Sequence, residues 1–469
     1  MNLEFKVLSH ACLLIKTDNT SVVIDPWLLG SCYWRSWWNF PQAKYNVSEL
    51  EEVDAVIISH VHWDHWHGPT LRKFFKDKKI IIPDEPGLRS REDLKKLGFE
   101  TTLVKHGKTL NLGDLKITLY QFGLFFTDAA IIVEAAGKII LNANDAKIAG
   151  LPLRKILKKH GKIDFAFRSH SSANPRICYE LEGGNFAQYD DPEHYSRSFK
   201  LFMDAINPSY AIPFASNHCH LHKDVYKFNS YISDPIELQD YLSKQVDKKP
   251  WELKVMMPGS SWNTKGGFEL EEPKEFINKN LALIKYQEKV QNKLDLFYEK
   301  EMQVNIDKNV WKKFIKMTKT PLFNKGLGRF IVTVTKPDGS GSSKLINNQE
   351  LQDIDFVEKS EIDLPLIIIP CIVFRDAVKK NMFEHASISK RCRFIASNEK
   401  DMKRLLKIVN HIEKKERLPL KITLRQLSRF PVAYIRRWRE LFVYSQAVYY
   451  KYYKKLPLYL VEEKILKKT

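Results

Sequence analysis

The sequence His-Val-His-Trp-Asp-His at residues 60–65 decides how this chain is read. It follows the apolar stretch Asp54–Ser59, which predicts a buried strand, and it precedes a helix that opens near Pro69. A strand that ends in a tight turn can point several side chains at one spot. Three imidazoles and one carboxylate suit zinc, and the same nitrogen and oxygen donors also accept iron or manganese. The turn therefore predicts a metal site, with a solvent-exposed His-rich turn as the alternative.

Short apolar strands alternate with brief helical patterns on both sides of this turn, up to about residue 265. Helices are predicted at Thr70–Lys76 and Pro152–Lys159. The predicted strands are Val22–Ile24, Ala55–Ser59, Ile80–Ile82, Lys116–Leu119, Ala129–Val133, Lys138–Leu141 and Ile163–Phe167. This alternation is typical of a layered α/β architecture.

A change in composition at Asn263–Pro273 separates this part from the remainder of the chain. Beyond it the sequence becomes Lys-rich and helical, so we expect two domains, residues 1–265 and 274–469. The second domain is predicted to be α+β. Its expected elements are helices at about Glu275–Glu301 and Lys400–Lys415, strands at Phe330–Thr335 and Leu366–Phe374, and a loop at Pro337–Ser343.

The composition of the 469 residues is that of an ordinary folded protein, with 44% hydrophobic and 28% charged residues. These values exclude a disordered or fibrous chain. Six scattered cysteines without a Cys-x-x-Cys pair predict neither a disulfide framework nor a four-cysteine zinc site. No apolar run is long enough to span a bilayer and no signal peptide is recognisable, so we expect a cytoplasmic location.

A net charge of +19 favours anionic partners, although a basic surface without a specific partner has the same composition. Residues 436–469 contain nine Lys or Arg and three Glu, interleaved with Trp438 and several tyrosines. This pattern fits a solvated helix face or a peripheral contact with an anionic membrane. We do not expect a nucleic-acid partner, because the sequence contains no recognisable nucleic-acid module.

The turn at residues 60–65 resembles the His-x-His-x-Asp-His signature of the metallo-β-lactamase superfamily. That superfamily has an αββα sandwich with its metal site at the edge between two sheets. Asp25 and Asp145 follow predicted strands where the superfamily places a supporting Asp and a metal-bridging Asp, and a His-rich stretch follows the strand Tyr210–Pro213, where a final ligand is expected. The resemblance implies an α/β fold, an αββα metallo-β-lactamase sandwich with a C-terminal α+β extension.

Within the superfamily, the sequence resembles the metallo-β-lactamase-like part of the CMP-N-acetylneuraminate hydroxylases. The matching segments are Asp25–Leu28, His62–His65, Pro69–Leu71, Ile131–Glu134, Gly137–Lys138, Pro213–Ala215 and Asp234–Leu238. Two departures stand out. The Rieske iron–sulfur pattern of those hydroxylases does not precede the motif, and Gln121–Phe126 lacks the third metal-binding His expected there.

The resemblance implies one or two divalent metal ions, zinc or iron. The implied ligands are His60, His62, Asp64, His65, Asp145 and His222, of which Asp64, His65 and Asp145 are also the predicted catalytic residues. His222 is preferred to His218 and His220 because of its spacing after Pro213–Ala215. His106 and His170 are candidates for the missing ligand.

Five residues are expected beside the site as supporting or substrate-binding groups: Asp25, His10, His170, Arg35 and Trp37. Arg35 and Trp37 belong to an aromatic loop that could meet the phosphate and base of a nucleotide. Alternatively, the aromatic side chains of this loop pack into a lid or the core.

Three functions follow from this pattern. The first is a hydrolase in which the ions lower the pKa of a water, so that hydroxide attacks an anionic substrate, such as a nucleotide-activated compound or a sugar. The second is an iron-dependent monooxygenase that receives electrons from a separate electron-transfer protein. The third is a non-catalytic binding module. The sequence places hydrolysis first, because hydrolysis requires no electron donor.

Overall fold

The computed structural model describes residues 1–123, 128–171, 175–181, 184–185, 193–246, 250–318, 328–347, 350–358, 364–414 and 428–469. Two mixed sheets build its N-terminal part. In spatial order, the first consists of Gly267–Glu269, Ser261–Asn263, Leu3–Val7, Leu13–Thr17, Ser21–Ile24, Ala55–Ile57, Lys79–Pro83 and Thr101–Val104. The second consists of Glu252–Leu253, Tyr210–Pro213, Phe165–Arg168, Lys138–Asn142, Asp128–Ala135, Leu115–Phe122 and Thr109–Leu112.

The two sheets pack face to face through the apolar side chains that alternate along their strands. Phe5 of the first sheet contacts Phe165 of the second, with ring centroids 4.9 Å apart. Helices Gly68–Phe74 and Arg89–Lys96 lie against the outer face of the first sheet. Helices Gly150–His160, His194–Ile206 and Pro235–Ser243 lie against that of the second. The predicted αββα sandwich is therefore confirmed.

Parallel strand pairs in both sheets bring the candidate site residues to one edge of the sandwich. Ser21–Ile24 pairs in parallel with Ala55–Ile57, so Asp25 and the turn that starts at His60 follow neighbouring strand ends. In the second sheet, Lys138–Asn142 pairs in parallel with Phe165–Arg168. The carboxyl ends of parallel strands meet at the same edge of a sheet, and that edge is where ligand sites form in such folds.

A third sheet joins the C-terminal part to the sandwich. Its spatial order is Gly184–Asn185, Tyr179–Leu181, Arg393–Ala396, Leu366–Pro370, Phe330–Thr335, Gly341–Asn347 and Glu350–Ile354. The helices of this C-terminal part are Lys274–Ile277, Lys279–Met302, Lys308–Thr318, Cys371–Lys380, Phe383–Ile388 and Glu399–Glu413. The C-terminal extension is α+β, as expected. The strand Tyr179–Leu181 pairs with Arg393–Ala396, so this sheet contains strands from both sides of the predicted boundary. The division into domains 1–265 and 274–469 stays a prediction.

The last helices return to the sandwich. They are Arg429–Arg436, Arg439–Val448 and Leu458–Leu466, with a π-helical turn at Tyr449–Tyr453. Val443 and Ile465 pack into the apolar cluster beneath the helix Gly150–His160. Among the described residues, no helix combines the length and the apolar content that crossing a bilayer demands.

The prediction of one strand over Leu366–Phe374 is wrong in its second half, where the helix Cys371–Lys380 begins after Pro370. A short apolar run does not by itself distinguish a buried strand from a buried helix. Two smaller predictions also need correction. The predicted loop Pro337–Ser343 contains the start of the strand Gly341–Asn347, and the predicted helix Glu275–Glu301 is divided at Asn278.

Candidate metal centre

The turn at residues 60–65 lies at the edge between the two sheets, and its polar side chains face one another. His60, Asp64 and His65 are buried, and His62 is half-buried. His60 Nε2 lies 2.9 Å from His62 Nδ1. His65 Nε2 lies 3.1 Å from Asp145 Oδ2 and 3.5 Å from Asp64 Oδ2. The structure therefore brings five of the predicted ligands together.

Three overlapping groups of side chains offer donor atoms that lie within 4.8 Å of one another. The groups are His60, His62 and Asp128; His60, His65 and Asp145; and His10, Asp64 and His65. Each contains two imidazoles and one carboxylate. These nitrogen and oxygen donors fit one or two divalent ions, and two imidazoles with one carboxylate occur at both zinc and non-haem iron sites.

Asp128 is the ligand candidate that the sequence reasoning missed. It is the first residue of the strand Asp128–Ala135, and its Oδ1 lies 4.0 Å from His60 Nε2. The resemblance led us to expect a histidine shortly before this strand, over Gln121–Phe126. Residues 124–126 lie outside the described part of the chain. A search for any metal-ligating side chain at that place would have found Asp128.

Asp25 holds the two halves of the site in place. Its buried carboxylate accepts hydrogen bonds from the Ser59 backbone N–H at 2.7 Å, the Ser59 hydroxyl at 2.6 Å and Asn144 Nδ2 at 2.6 Å. It also lies 2.9 Å from His65 Nδ1. A carboxylate on one ring nitrogen fixes the tautomer and orientation of the imidazole, so Nε2 of His65 is left facing Asp145. The predicted supporting position of Asp25 agrees with this geometry.

Asp64 is oriented by two further side chains. The Tyr33 hydroxyl donates to Asp64 Oδ1 at 2.5 Å and accepts from the Trp63 backbone N–H at 3.1 Å. His10 Nε2 lies 3.2 Å from Asp64 Oδ2. His10 was predicted as a supporting group, and its contact with Asp64 places it at the site.

The charges of the site depend on these contacts. Burial by itself would raise the pKa of Asp64, but His65 and His10 hold this pKa well below its usual range. Burial opposes the charged form of His65, and Asp64 and Asp25 outweigh it, so the pKa of His65 is raised. Before any ion binds, Asp64 and His65 therefore form a buried ion pair.

The prediction of His222 as a metal ligand is not supported by the geometry. Its Nε2 lies 3.5 Å from Glu301 Oε2 and its ring lies 4.9 Å from that of Tyr298, so it faces the C-terminal part. His220 Nε2 lies 3.0 Å from Lys390 Nζ. Of the three late histidines, His218 has a ring contact with a residue of the cluster, His10, at 5.6 Å. His222 is directed away from the cluster because it lies two residues beyond the end of the strand His218–His220.

The two candidates for the missing histidine differ sharply. His106 Nδ1 accepts the Gln121 backbone N–H at 3.1 Å and its ring packs edge-on against Tyr120, so it has a structural role. His170 is buried, and neither of its ring nitrogens has a hydrogen-bond partner in the described part of the chain. Burial, with His10 nearby, lowers the pKa of His170 to about 3. His170 is therefore a buried neutral imidazole, with one ring nitrogen protonated and the other able to accept a hydrogen bond or a metal ion.

The aromatic loop packs into the core, which is the second of its two predicted alternatives. Trp37 is fully buried and stacks on His218, with ring centroids 3.7 Å apart. Arg35 donates to the Ser31 hydroxyl at 3.0 Å and lies over the Trp38 ring. Trp37 consequently has no face open to a nucleotide base, and it instead supports the histidines next to the site.

The C-terminal part also reaches the site, which no sequence signal indicated. The helix Phe383–Ile388 places Glu384 Oε1 3.5 Å from His62 Nε2. His385 Nε2 lies 3.3 Å from the Val61 carbonyl, and its ring lies 4.9 Å from that of Trp63. No motif connects residues so far apart in sequence, so only the structure reveals this contact.

Comparisons with known proteins agree with this geometry. Residues 4–123 match the family described as Beta-lactamase superfamily domain. The chain is 27% identical over 252 residues to a putative Rieske 2Fe-2S iron-sulfur protein of Mycolicibacterium smegmatis, covering 49% of this chain and 46% of the relative. It is 35% identical over 147 residues to the cytidine monophosphate-N-acetylneuraminic acid hydroxylase of Danio rerio, covering 29% and 25%. The chain thus spans less than half the length of these curated relatives.

One solved structure with a similar fold is that of CmlA, described as a diiron beta-hydroxylase from Streptomyces venezuelae. The match has a TM-score of 0.37 and 18% identity, and it covers 56% of this chain and 53% of CmlA. Residues 4–123 thus match the Beta-lactamase superfamily domain within the observed N-terminal sandwich, and part of this chain is similar in sequence to the cytidine monophosphate-N-acetylneuraminic acid hydroxylase of Danio rerio.

Proposed function

We propose that this protein is an iron-dependent hydroxylase that acts on an anionic substrate. The observation that carries the proposal is the composition of the donor groups, each of which has two imidazoles and one carboxylate. Such sets are typical of non-haem iron oxygenases, and catalytic zinc sites have either three histidines or two histidines and a carboxylate. Asp128 stands where a third histidine was expected, so the donors fit iron as well as zinc, and the sequence similarity to a hydroxylase supports placing iron first.

In this proposal His60, His62, His65, Asp128 and Asp145 hold one or two ions, which activate dioxygen when bound. Asp25 fixes the ring of His65, and Tyr33 and His10 fix the carboxylate of Asp64. Asp64 Oδ2 then faces both His10 and His65, so the carboxylate holds the two imidazoles in position beside the ions.

The substrate and the electron source follow from charge and stoichiometry. Hydroxylation inserts one oxygen atom of dioxygen into a C–H bond and reduces the other to water, which consumes two electrons and two protons. We propose that a separate electron-transfer protein supplies the electrons. The net charge of +19 favours an anionic substrate, and the similarity to hydroxylases of a cytidine monophosphate sugar acid suggests a nucleotide-activated or acidic sugar.

Hydrolysis is the second candidate function. The observation in its favour is the complete His-x-His-x-Asp-His turn within the Beta-lactamase superfamily match, a set that also accepts zinc. In a hydrolase the ions would activate a water for attack on the anionic substrate. The same residues serve both functions, so the identity of the metal distinguishes them.

Metal analysis of the purified protein tests the proposal. Protein from cells supplied with both iron and zinc should retain iron and absorb visible light. Asp128→His, which creates a three-imidazole set, should shift the retained metal towards zinc, while Asp128→Asn should lower total metal without that shift. Colourless zinc protein would favour hydrolysis, and protein without stoichiometric metal would favour a non-catalytic binding module. Circular dichroism of each variant controls for folding.

A cytoplasmic location is part of the proposal. All six cysteines are buried free thiols in the structure. Free thiols are usual in a reducing compartment. Fractionation of the native host, with a cytoplasmic enzyme as marker, tests this location.

A further inference from the structure

The helices near the C-terminus carry large apolar side chains on the side that faces away from the sandwich. Six of them define what we call the outer face: Trp438, Leu441, Phe442, Val448, Tyr449 and Tyr452, which are 44% to 70% exposed. Most apolar exposure on a soluble protein is scattered, and a contiguous exposed patch marks an interaction site.

Helical spacing shows that this exposure is one continuous stripe. Positions 438, 441, 442, 445, 448, 449 and 452 follow one another at intervals of one or three residues, which places them on one side of the helix Arg439–Val448 and its continuation. The opposite side holds Val443 and Tyr450, which are buried against the sandwich. The inner side thus accounts for the packing of this helix, and the outer face has no packing role in the described part of the chain.

The charges around the outer face are all of one sign. Glu440 is the single acidic residue between positions 428 and 455, and it is buried in an ion pair with Arg437 at 2.7 Å. Arg436, Lys451 and Lys454 are exposed beside the apolar stripe. Within residues 428–455 the surface therefore combines exposed aromatic and aliphatic groups with cations and offers no exposed carboxylate.

We infer that the outer face docks onto the surface of an anionic lipid bilayer, without crossing it. Apolar side chains, with Trp and Tyr among them, insert into the boundary between headgroups and acyl chains, and neighbouring Lys and Arg attract anionic headgroups. A second copy of this chain is a poorer occupant, because two such faces would bring cations against cations. Docking here is independent of the reaction proposed above.

The outer face is also firmly attached to the catalytic part. Glu440 lies on the inner side of the helix Arg439–Val448, where it pairs with Arg437 of the preceding turn and accepts the Gly123 backbone N–H at 3.2 Å. This hydrogen bond ties the helix that carries the outer face to the sandwich.

Vesicle co-sedimentation of the full chain tests the inference. The protein should bind vesicles of equal parts phosphatidylglycerol and phosphatidylcholine at least about tenfold more tightly than phosphatidylcholine alone, and added salt should weaken this binding. The triple variant Trp438→Ser, Leu441→Ser, Phe442→Ser should lower the affinity about tenfold or more, as apolar insertion requires.

A matched control is the pair Leu281→Ser and Ile284→Ser on the helix Lys279–Met302, where the side chains are 46% and 48% exposed and vesicle binding should not change. Should the triple variant melt earlier than the wild type, Phe442→Ser alone replaces it. Equal binding by variant and wild type would overturn the inference. The inference would also be overturned if the wild type did not bind vesicles but formed a dimer, and if the triple variant no longer formed that dimer.

Discussion

The turn at residues 60–65 and the outer face invert the usual distribution of side chains in opposite ways. The turn buries two imidazoles and one carboxylate, each held by specific polar contacts. The outer face exposes aromatic and aliphatic groups that a folded core would otherwise bury. Buried charge and exposed apolar surface both cost free energy, so both point to function more strongly than the ordinary core does. The following predictions test whether the two regions differ as described.

The largest expected effect is that of Asp25→Ala, within the buried region. The substitution leaves the donors of Ser59 and Asn144 without their acceptor and His65 without its orienting carboxylate. We expect a loss of about 3 to 5 kcal/mol in the free energy of unfolding. Urea denaturation measures it. Asp18→Ala, at an exposed carboxylate, serves as the control and should stay within about 0.5 kcal/mol of the wild type.

Metal binding should report the same defect. Asp25→Asn keeps the volume of the side chain but offers a single acceptor oxygen, and we expect metal affinity to fall about 10- to 100-fold. An Asp25→Asn protein with wild-type metal affinity and stability would show that Asp25 does not position His65.

Glu462→Gln tests the contact that joins the last helix to the sandwich. Burial by itself would raise the pKa of Glu462, but Lys147 and Arg168 outweigh it and lower this pKa to about 2. The pKa of Glu462 is therefore lower in the folded than in the unfolded protein. The ionised carboxylate stabilises the fold at pH values above its unfolded pKa, and this stabilisation is lost as the pH falls through its folded pKa. We expect Glu462→Gln to remove about 3 kcal/mol at neutral pH.

The pH dependence distinguishes this ion pair from a mere packing effect. The difference between wild type and Glu462→Gln should shrink between about pH 5 and pH 2, where the wild-type carboxylate is progressively protonated. Urea denaturation over this range, with the exposed Glu399→Gln as control, measures it. A difference that does not vary with pH would contradict the account.

Tyr33→Phe should have a smaller effect. It removes the hydroxyl that donates to Asp64 and accepts from the Trp63 backbone N–H, while the ring stays in place. We expect a loss of about 1 to 2 kcal/mol in unfolding free energy and weaker metal binding, because Asp64 loses one of its orienting contacts. Calorimetry of unfolding and of metal binding measures the two effects, and no change in either would be inconsistent with the geometry.

The smallest effect on stability belongs to the outer face. Phe442→Ser should change the free energy of unfolding by no more than about 0.5 kcal/mol, because the Phe442 side chain is exposed and does not pack into the core. Val443→Ser, one residue further along, should cost several times more since Val443 is buried. Equal effects at the two positions would show that the outer face is packed in solution.

Much of the sandwich was predictable because its strands are short apolar runs and its metal turn is contiguous in sequence. Asp25 and Asp145 were expected beside this turn from the resemblance, and the structure brings them there because both follow the ends of strands that lie in parallel pairs. The end of the strand Leu366–Pro370 was not predicted, because the apolar run continues into a helix without a change in composition.

The remaining parts of the site were beyond the sequence for physical reasons. Spacing along the chain did not reveal that His218 turns towards His10 while His222 turns towards Glu301. Glu384 reaches His62 from a segment with no motif of its own. Asp128 was overlooked because the expectation specified a histidine, although a carboxylate serves the same purpose. For the basic C-terminal segment, the sequence left two alternatives open because it did not say which side of the helix faces outward.

Anaerobic titration of the metal-free protein with ferrous iron tests the central claim most directly. The account predicts that the wild-type chain binds one or two ferrous ions in a saturable manner, and that His62→Ala, which removes one imidazole of the group containing Asp128, binds fewer ions or binds them more weakly while its fold is retained. Failure of the wild type to bind ferrous iron, or the same stoichiometry and affinity in His62→Ala, would contradict it.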